Sequence, residues 1–321
     1  LVTERPGRLR VVQPDGRVGE PVAGVPSVEA AGQGGLLDVA ADRDFARNRQ
    51  VYLCYSEPGP GGNSTALAQA RLSADAAKLE DVKVIFSQQP KVSSRLHFGC
   101  RIVQAGDGSL FLTLGDRYQR MNDAQTLDNH HGKVVRVMPD GKPHPDNPLA
   151  RQPGALPEVY SLGHRNPQGA ALGPDGALWL VEHGPQGGDE VNRIVAGRNY
   201  GWPVITYGEN YGGGPIGEGI TARAGLEQPL KHWTPSIAPS GMAWLRSSRY
   251  GQGWQNSLFV GSLKFRYLSR LVFDNGRFVR EERLLPDINA RIRDVREGPD
   301  GLIYLLTDDR NGRLLRVVPG G

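Results

Sequence analysis

Two polar clusters near the middle of this 321-residue chain carry residue types that can do chemistry together. The first, Gly163-His164-Arg165-Asn166-Pro167-Gln168-Gly169, sets a guanidinium among amides. The second, Glu182-His183-Gly184-Pro185-Gln186-Gly187-Gly188-Asp189-Glu190, joins carboxylates to a glycine-rich backbone. Between them, Ala170 to Val181 holds two short apolar runs around Gly173-Pro174-Asp175-Gly176, which reads as a β-hairpin. A hairpin returns the chain to the end it started from. Arg165 and Asn166 are therefore expected beside the Gly184-Pro185 backbone, on a face suited to holding an anion.

Other polar loops follow the same plan, each adjoining a short strand-like run. Gln33, His97, Arg165-Asn166 and Arg291 to Arg293 precede such runs, and Asp116, Gly184-Pro185 and Lys264 follow them. The second strands of the repeating units start at Leu1, Val51, Leu110, Leu178, Leu258 and Ile303, which counts six units. Their spacing of roughly 45 to 80 residues predicts a six-bladed β-propeller with four-stranded antiparallel blades. In that architecture the named loops meet on the top face near the central channel, and residues 1–321 form one domain.

The ends of the chain support the repeat. Leu1 to Val12 (LVTERPGRLRVV) and Leu305 to Val318 (LLTDDRNGRLLRVV) are variants of one unit, as a closed radial array requires and a pair of β-sandwiches does not. Leu1 falls in the middle of its unit. The first blade is thus expected to lack upstream strands, in a preceding piece with room for an export signal. Helix is scarce, with Asp75 to Lys83 the one stretch expected to make a turn or two.

Composition excludes several partners. The 38 Lys and Arg are interspersed with 34 Asp and Glu for a net charge of +4, with no basic run, so no nucleic acid is expected. No apolar segment approaches the ~20 residues of a membrane-spanning helix. Cys54 and Cys100 are the only cysteines, too few for a thiolate zinc site. Buried free thiols are the plainer reading of this pair, with a disulfide left open. The adjacent His130 and His131 would point to opposite faces of a strand, which argues against a shared metal.

In consistent order along the chain, Gly32-Gln33-Gly34-Gly35, His97 with Arg101, Gly115-Asp116, the Gly163 to Gly169 motif, Gly184-Pro185, Asn199-Tyr200-Gly201-Trp202-Pro203, Ser262-Leu263-Lys264 and Arg291-Ile292-Arg293-Asp294-Val295 resemble the soluble quinoprotein glucose/sorbosone dehydrogenases. The aldose sugar dehydrogenases are the subgroup they look most like. The resemblance implies oxidation of aldose sugars at the anomeric carbon to lactones, with pyrroloquinoline quinone (PQQ) and calcium as cofactors.

PQQ is a planar tricarboxylate ortho-quinone, so it calls for cations and a polarising group. By resemblance, Lys264, Arg291 and Arg293 match the carboxylate binders, and Gln33 and Asn166 match amides that hydrogen-bond the cofactor. Arg165 matches the guanidinium near the quinone oxygen. The backbone carbonyls of Gly184 and Pro185 match the ligands of the calcium at PQQ, and Glu190 with the Tyr200 carbonyl match a second, structural calcium. His97 is expected to be the general base, with Asp116 orienting it.

Departures lie on the sugar side. The family's additional amide contact has only Gln119 as its nearest candidate, and Leu96 precedes His97 where glucose-specific members tend to be acidic. A broad aldose range is therefore expected rather than glucose specificity. Trp202 and Tyr200 read as core anchors, and Trp233 as a residue lining the mouth. The resemblance further implies a periplasmic or secreted monomer or weak dimer, with the electron acceptor open. Two other classes compete on fold alone: a non-catalytic sugar-binding or sensor propeller, and a calcium-dependent propeller lactonase.

Overall fold

The computed structural model describes residues 1–320 and resolves them into two compact units. Both are built of antiparallel meanders of the blade type, so the chain is an all-β propeller whose blades are four-stranded except the last. Among the described residues the one α-helix is Phe45–Asn48.

The unit formed by Leu1–Asn166 and Ala196–Trp202 starts with a two-stranded ribbon, β1 (Val2–Glu4) and β2 (Arg8–Arg10). Blade 1 comes next as β3 (Leu36–Ala41), β4 (Gln50–Gly59), β5 (Gly62–Leu72) and β6 (Leu79–Ser87). Blade 2 is β7 (Gly99–Gln104), β8 (Leu110–Leu114), β9 (Lys133–Val137) and β10 (Val159–Leu162).

The second unit takes Pro167–Val195 and the chain from Pro203 onward. Blade 3 is β11 (Pro167–Leu172), β12 (Leu178–Glu182), β13 (Asp189–Ile194) and β14 (Lys231–Trp233). Blade 4 is β15 (Pro239–Trp244), β16 (Leu258–Ser262), β17 (Leu268–Asp274) and β18 (Arg277–Leu284). Blade 5 has three strands, β19 (Ile292–Glu297), β20 (Ile303–Thr307) and β21 (Leu314–Val317).

Five blades are present, not the six expected. The unit counted at Leu1 makes only the β1–β2 ribbon, because Pro14, Pro21 and Pro26 interrupt the chain before β3 and a proline cannot donate to a ladder. Between β2 and β3 the chain is held by isolated bridges such as Val12 with Val18. The repeat was nonetheless real, since both terminal stretches fold as antiparallel hairpins, β1–β2 and β20–β21. The turn or two of helix expected at Asp75 to Lys83 is also absent. Asp75 accepts from Ser73 Oγ and from the Ala77 amide, a local capture that competes with helix, and β6 begins at Leu79.

Second strands read as unbroken apolar runs because each blade is covered on both faces. Along β4, Val51, Leu53 and Tyr55 enter one core with Leu9, Ala66 and Ala68, while Tyr52 and Cys54 enter another with Ile102, Leu112 and Val135 of blade 2. On β16, Leu258 and Val260 pack with Trp179 and Trp244, and Phe259 packs with Ile292 and Leu305 of blade 5. Cys54 and Cys100 are joined as a disulfide with Cα atoms 5.7 Å apart, so the free-thiol reading is corrected. The bridge ties β4 to β7.

All five inner strands share one feature that bears on function. Each has a bulge at its start: Leu36/Asp38, Gly99/Ile102, Pro167/Gly169, Pro239/Met242 and Ile292/Asp294. A bulge breaks the alternation of side chains and re-aims those beside it. The expected site residues Gln33, His97, Arg165, Asn166, Arg291 and Arg293 all lie at or just before these bulges.

Candidate active site

In the first unit the structure gathers His97, Asp116, Arg165, Asn166 and Gln33. His97 lies two residues before β7 and is held left-handed, with φ of 52°. Its amide donates to Gln33 Oε1 at 2.8 Å, which brings an exposed amide side chain from the loop before β3 onto the histidine loop. Behind His97 the chain passes so close that a Cβ on Gly115 would stand 2.0 Å from the His97 carbonyl oxygen. Only glycine fits there. The next residue, Asp116, is thereby placed against the imidazole.

Asp116 is fully buried and uses both oxygens. Oδ1 lies 2.7 Å from His97 Nδ1 and also accepts the Tyr118 amide at 2.7 Å. Oδ2 accepts the indole N–H of Trp202 at 2.7 Å. With Nδ1–H directed at a carboxylate, the proton-accepting nitrogen of neutral His97 is Nε2, which has no hydrogen bond to the described residues. Burial of the ring lowers the pKa of His97 below its usual value; Asp116 opposes this through its hydrogen bond and charge, while Arg165 and Arg117 add to it. The balance favours the neutral form of the imidazole.

Arg165 is buried, with its guanidinium carbon 5.2 Å from the centre of the Trp202 ring, and its carbonyl accepts the Asp116 amide. Asn166 Oδ1 accepts the amide of Gly99 at the β7 bulge. Trp202, read from sequence as a core anchor, is therefore a member of the site. The signal was available in the residue type, since a buried indole N–H needs an acceptor. Gln125 holds Trp202 in place by pairing its side-chain amide with that of Asn199 and donating to the Trp202 carbonyl. Tyr200 stacks on His164, which itself meets Ser161 Oγ at 2.9 Å.

The adjacent histidines and the nearest amide candidate make other contacts. His130 and His131 precede β9 rather than lying on a strand; the first meets Glu158, and the second meets Asp123 and the Pro90 carbonyl. Gln119 is exposed.

In the second unit, Arg291 and Arg293 converge. Arg291 Nε and Arg293 Nη2 donate to the same oxygen of Asp308, at 3.0 and 2.9 Å. Burial pushes the Asp308 carboxyl up, but the two arginines outweigh it and hold its pKa below the usual range. Lys264 is exposed, with its ammonium 5.2 Å from the Phe265 ring centre.

The Gly184-Pro185 turn is fixed by Asp189. Its Oδ1 accepts the Gly184 amide, and its Oδ2 accepts Ser236 Oγ and the amides of Ile237 and Ala238. Burial still raises Asp189 to about 6 against all these donors. A Cβ on Gly184 would meet the carbonyl oxygens of Gly187 and Gly188 at 2.2 and 2.4 Å, so the turn is crowded with backbone oxygens of the kind a hard cation prefers.

Glu190 pairs across the ladder with Glu182, and Asn192 Nδ2 donates to both carboxylates. Burial, with Glu182 beside it, raises the pKa of Glu190. Trp233 is buried and donates its indole N–H to Glu281, one edge of it lining a pocket with His232 and Thr234.

Comparison with known proteins agrees with this architecture. The family model described as Glucose / Sorbosone dehydrogenase matches residues 1–316. Aldose sugar dehydrogenase YliI of Escherichia coli (strain K12) is 47% identical over 99% of this chain and 86% of its own length. A crystal structure of a glucose dehydrogenase superposes with a TM-score of 0.95 at 50% identity, covering 99% of this chain and 92% of that one. The PQQ-bound form of an aldose sugar dehydrogenase from Streptomyces coelicolor superposes with a TM-score of 0.79 at 27% identity, over 98% of this chain and 89% of that one.

Proposed function

Because this chain belongs to the glucose/sorbosone dehydrogenase family, we propose that it oxidises aldose sugars at the anomeric carbon to lactones, with PQQ as the oxidant and calcium as the metal. The observation that carries the reading is the His97–Asp116 couple at 2.7 Å, with Nε2 of the ring left to accept a proton. When bound, PQQ would supply the two-electron, hydride-accepting chemistry that oxidation of the sugar carbon requires.

This chain's residues do the rest. His97 Nε2 takes the proton of the anomeric hydroxyl, and buried Asp116 stabilises the imidazolium that results. Trp202 keeps Asp116 oriented. Arg165 offers a fixed positive charge where an oxyanion develops, worth most in a desolvated site.

Gln33 and Asn166 are the cofactor's amide partners in this reading, and Lys264, Arg291 and Arg293 neutralise its carboxylates. The oxygen-rich Gly184-Pro185 turn suits a calcium ion at the cofactor. Glu190 and the carbonyl of Tyr200 are the proposed ligands of a second. A periplasmic or secreted setting is part of the proposal, supported by the Cys54–Cys100 bridge, since disulfides persist in oxidising compartments. Reconstitution tests the whole: apoprotein given PQQ and calcium should bleach the quinone absorption when an aldose is added. An unchanged spectrum with cofactor bound would defeat it.

A further inference from the structure

Arg117 is the largest side chain in the molecule to be wholly enclosed, and nothing in its sequence surroundings marks it out. It comes directly after Asp116, and both it and Tyr118 hold left-handed backbone, with φ of 58° and 66°. Two such non-glycine residues in succession are costly and persist only where the surroundings enforce them. The turn is pinned by Asp116 Oδ1, which accepts the Tyr118 amide, and by Ser94 Oγ, which donates to the Arg117 carbonyl at 2.8 Å. Its effect is to send the guanidinium inward, under the loop that carries His97.

There the guanidinium grips that loop at several points. Nε donates to the Leu96 carbonyl at 3.1 Å and Nη2 to the Ser94 carbonyl at 2.7 Å. Nη1 and Nη2 also reach the carbonyl and side-chain oxygens of Asn63, at the start of β5. The charged plane lies 3.8 Å from the centre of the Phe98 ring. Leu96 and Phe98 are the two neighbours of His97 in sequence. The planar fork with its five donors meets four oxygens here, one more than the three donors of a lysine can hold.

We propose that Arg117 is the positioning residue for His97, a buried guanidinium that clamps the histidine loop to blade 1 on both sides of the imidazole. The proposal rests on the proton-accepting role given to His97 above. The carboxylates that act on the Arg117 charge, Glu29 and Asp116, make no direct ion pair with it. Asn63 Nδ2 donates to Glu29, so the cation is relayed to a carboxylate through an amide and is not neutralised by direct contact.

An electrostatic effect comes with the clamp. The charged groups acting on His97 are Asp116 and Arg117 from the loop after β8 and Arg165 from the loop before β11. Tyr118 meets the imidazole edge-on at 5.3 Å from the same loop, and Gln33 approaches its backbone from the loop before β3. Both arginines disfavour a proton on His97, and Asp116 favours it. Removing Arg117 should therefore make His97 easier to protonate.

The test uses the full chain with Arg117→Met and Arg117→Lys. In the cofactor-free protein, the His97 imidazole is titrated by NMR. In the PQQ- and calcium-loaded protein, kcat and KM for an aldose are measured across pH. Arg117→Met should titrate His97 at higher pH than wild type, shift the acid limb of the rate profile the same way, and lower kcat by about 10-fold to 100-fold through a loosened base. KM should change much less. Arg117→Lys should leave the titration near wild type, because the charge remains, yet lose kcat because the fork is gone.

A folded Arg117→Met with wild-type titration and wild-type kcat overturns the proposal. If that variant does not fold, Arg117→Lys decides: unchanged kcat there overturns the clamp. Should wild type oxidise no aldose, the function proposed above falls, and the NMR titration still judges Arg117.

Discussion

His97 and its partners make separable demands on the chemistry. If Nε2 takes the hydroxyl proton, His97→Asn should slow single-turnover reduction of bound PQQ by about 10²-fold to 10⁴-fold, with cofactor uptake much less affected. A rate near wild type at verified occupancy would assign the base elsewhere. The pH profile carries a sign. Since burial lowers the pKa of His97, activity should hold through pH 6.5 and fall only on further acidification. Asp116→Asn removes a group that favours the protonated ring, so its acid limb should move to still lower pH while the plateau rate drops. Arg117→Met should move the limb the opposite way, and measuring the two side by side separates carboxylate from cation. Trp202→Phe keeps the ring but strands Asp116 Oδ2, a loss of about 1 to 3 kcal/mol for a buried unpaired acceptor. Lower kcat with a native circular dichroism spectrum is the expected result.

At the level of elements, the bulge at the start of each inner strand is what turns a ladder into a site. β7 shows this most fully. Gly99 and Cys100 both have positive φ at its bulge, and Cys100 is anchored to β4 through the disulfide only three residues from His97. The bridge closes a loop with a sequence separation of 46 residues. Chain-entropy reasoning gives such a loop about 4 kcal/mol of stabilisation. Cys54→Ser with Cys100→Ser should therefore lower the unfolding free energy by about 2 to 5 kcal/mol in chemical denaturation. A midpoint equal to that of wild type would show that the packing of β4 on β7 holds these blades without it.

For the whole molecule, the proposal asks a cationic set to capture a tricarboxylate. Arg291 and Arg293 are partly exposed and already share Asp308, so each is worth less than a fully desolvated pair. Loss of either to alanine should weaken PQQ binding to the apoprotein by about 2 kcal/mol, or roughly 30-fold. Equal affinity in both variants, by fluorescence titration, would take them out of the cofactor's reach. Calcium added with PQQ should raise the melting temperature more than either alone, as linkage requires of ligands that bind only the folded state.

The sequence by itself determined most of the strand plan and which residue types the polar loops carry. Second strands at Val51, Leu110, Leu178, Leu258 and Ile303 were legible because a blade buried on both faces leaves a continuous apolar run between turn residues. Order and residue type also pointed to the set His97, Asp116, Arg165, Asn166 and Gln33, which the first unit does gather. Tertiary structure decided what local pattern cannot encode. The prolines after β2 were visible in the sequence, but whether the leading repeat grows into a blade depends on partners for its edges, and it stayed a ribbon. Cys54 and Cys100 needed close Cα positions before they could pair. Trp202 looked like a core aromatic and Arg117 drew no reading at all, because a side chain's partner across dozens of residues is fixed only when the strands pack. Asp116 meeting Trp202, and Arg117 meeting the carbonyls beside His97, are products of that packing.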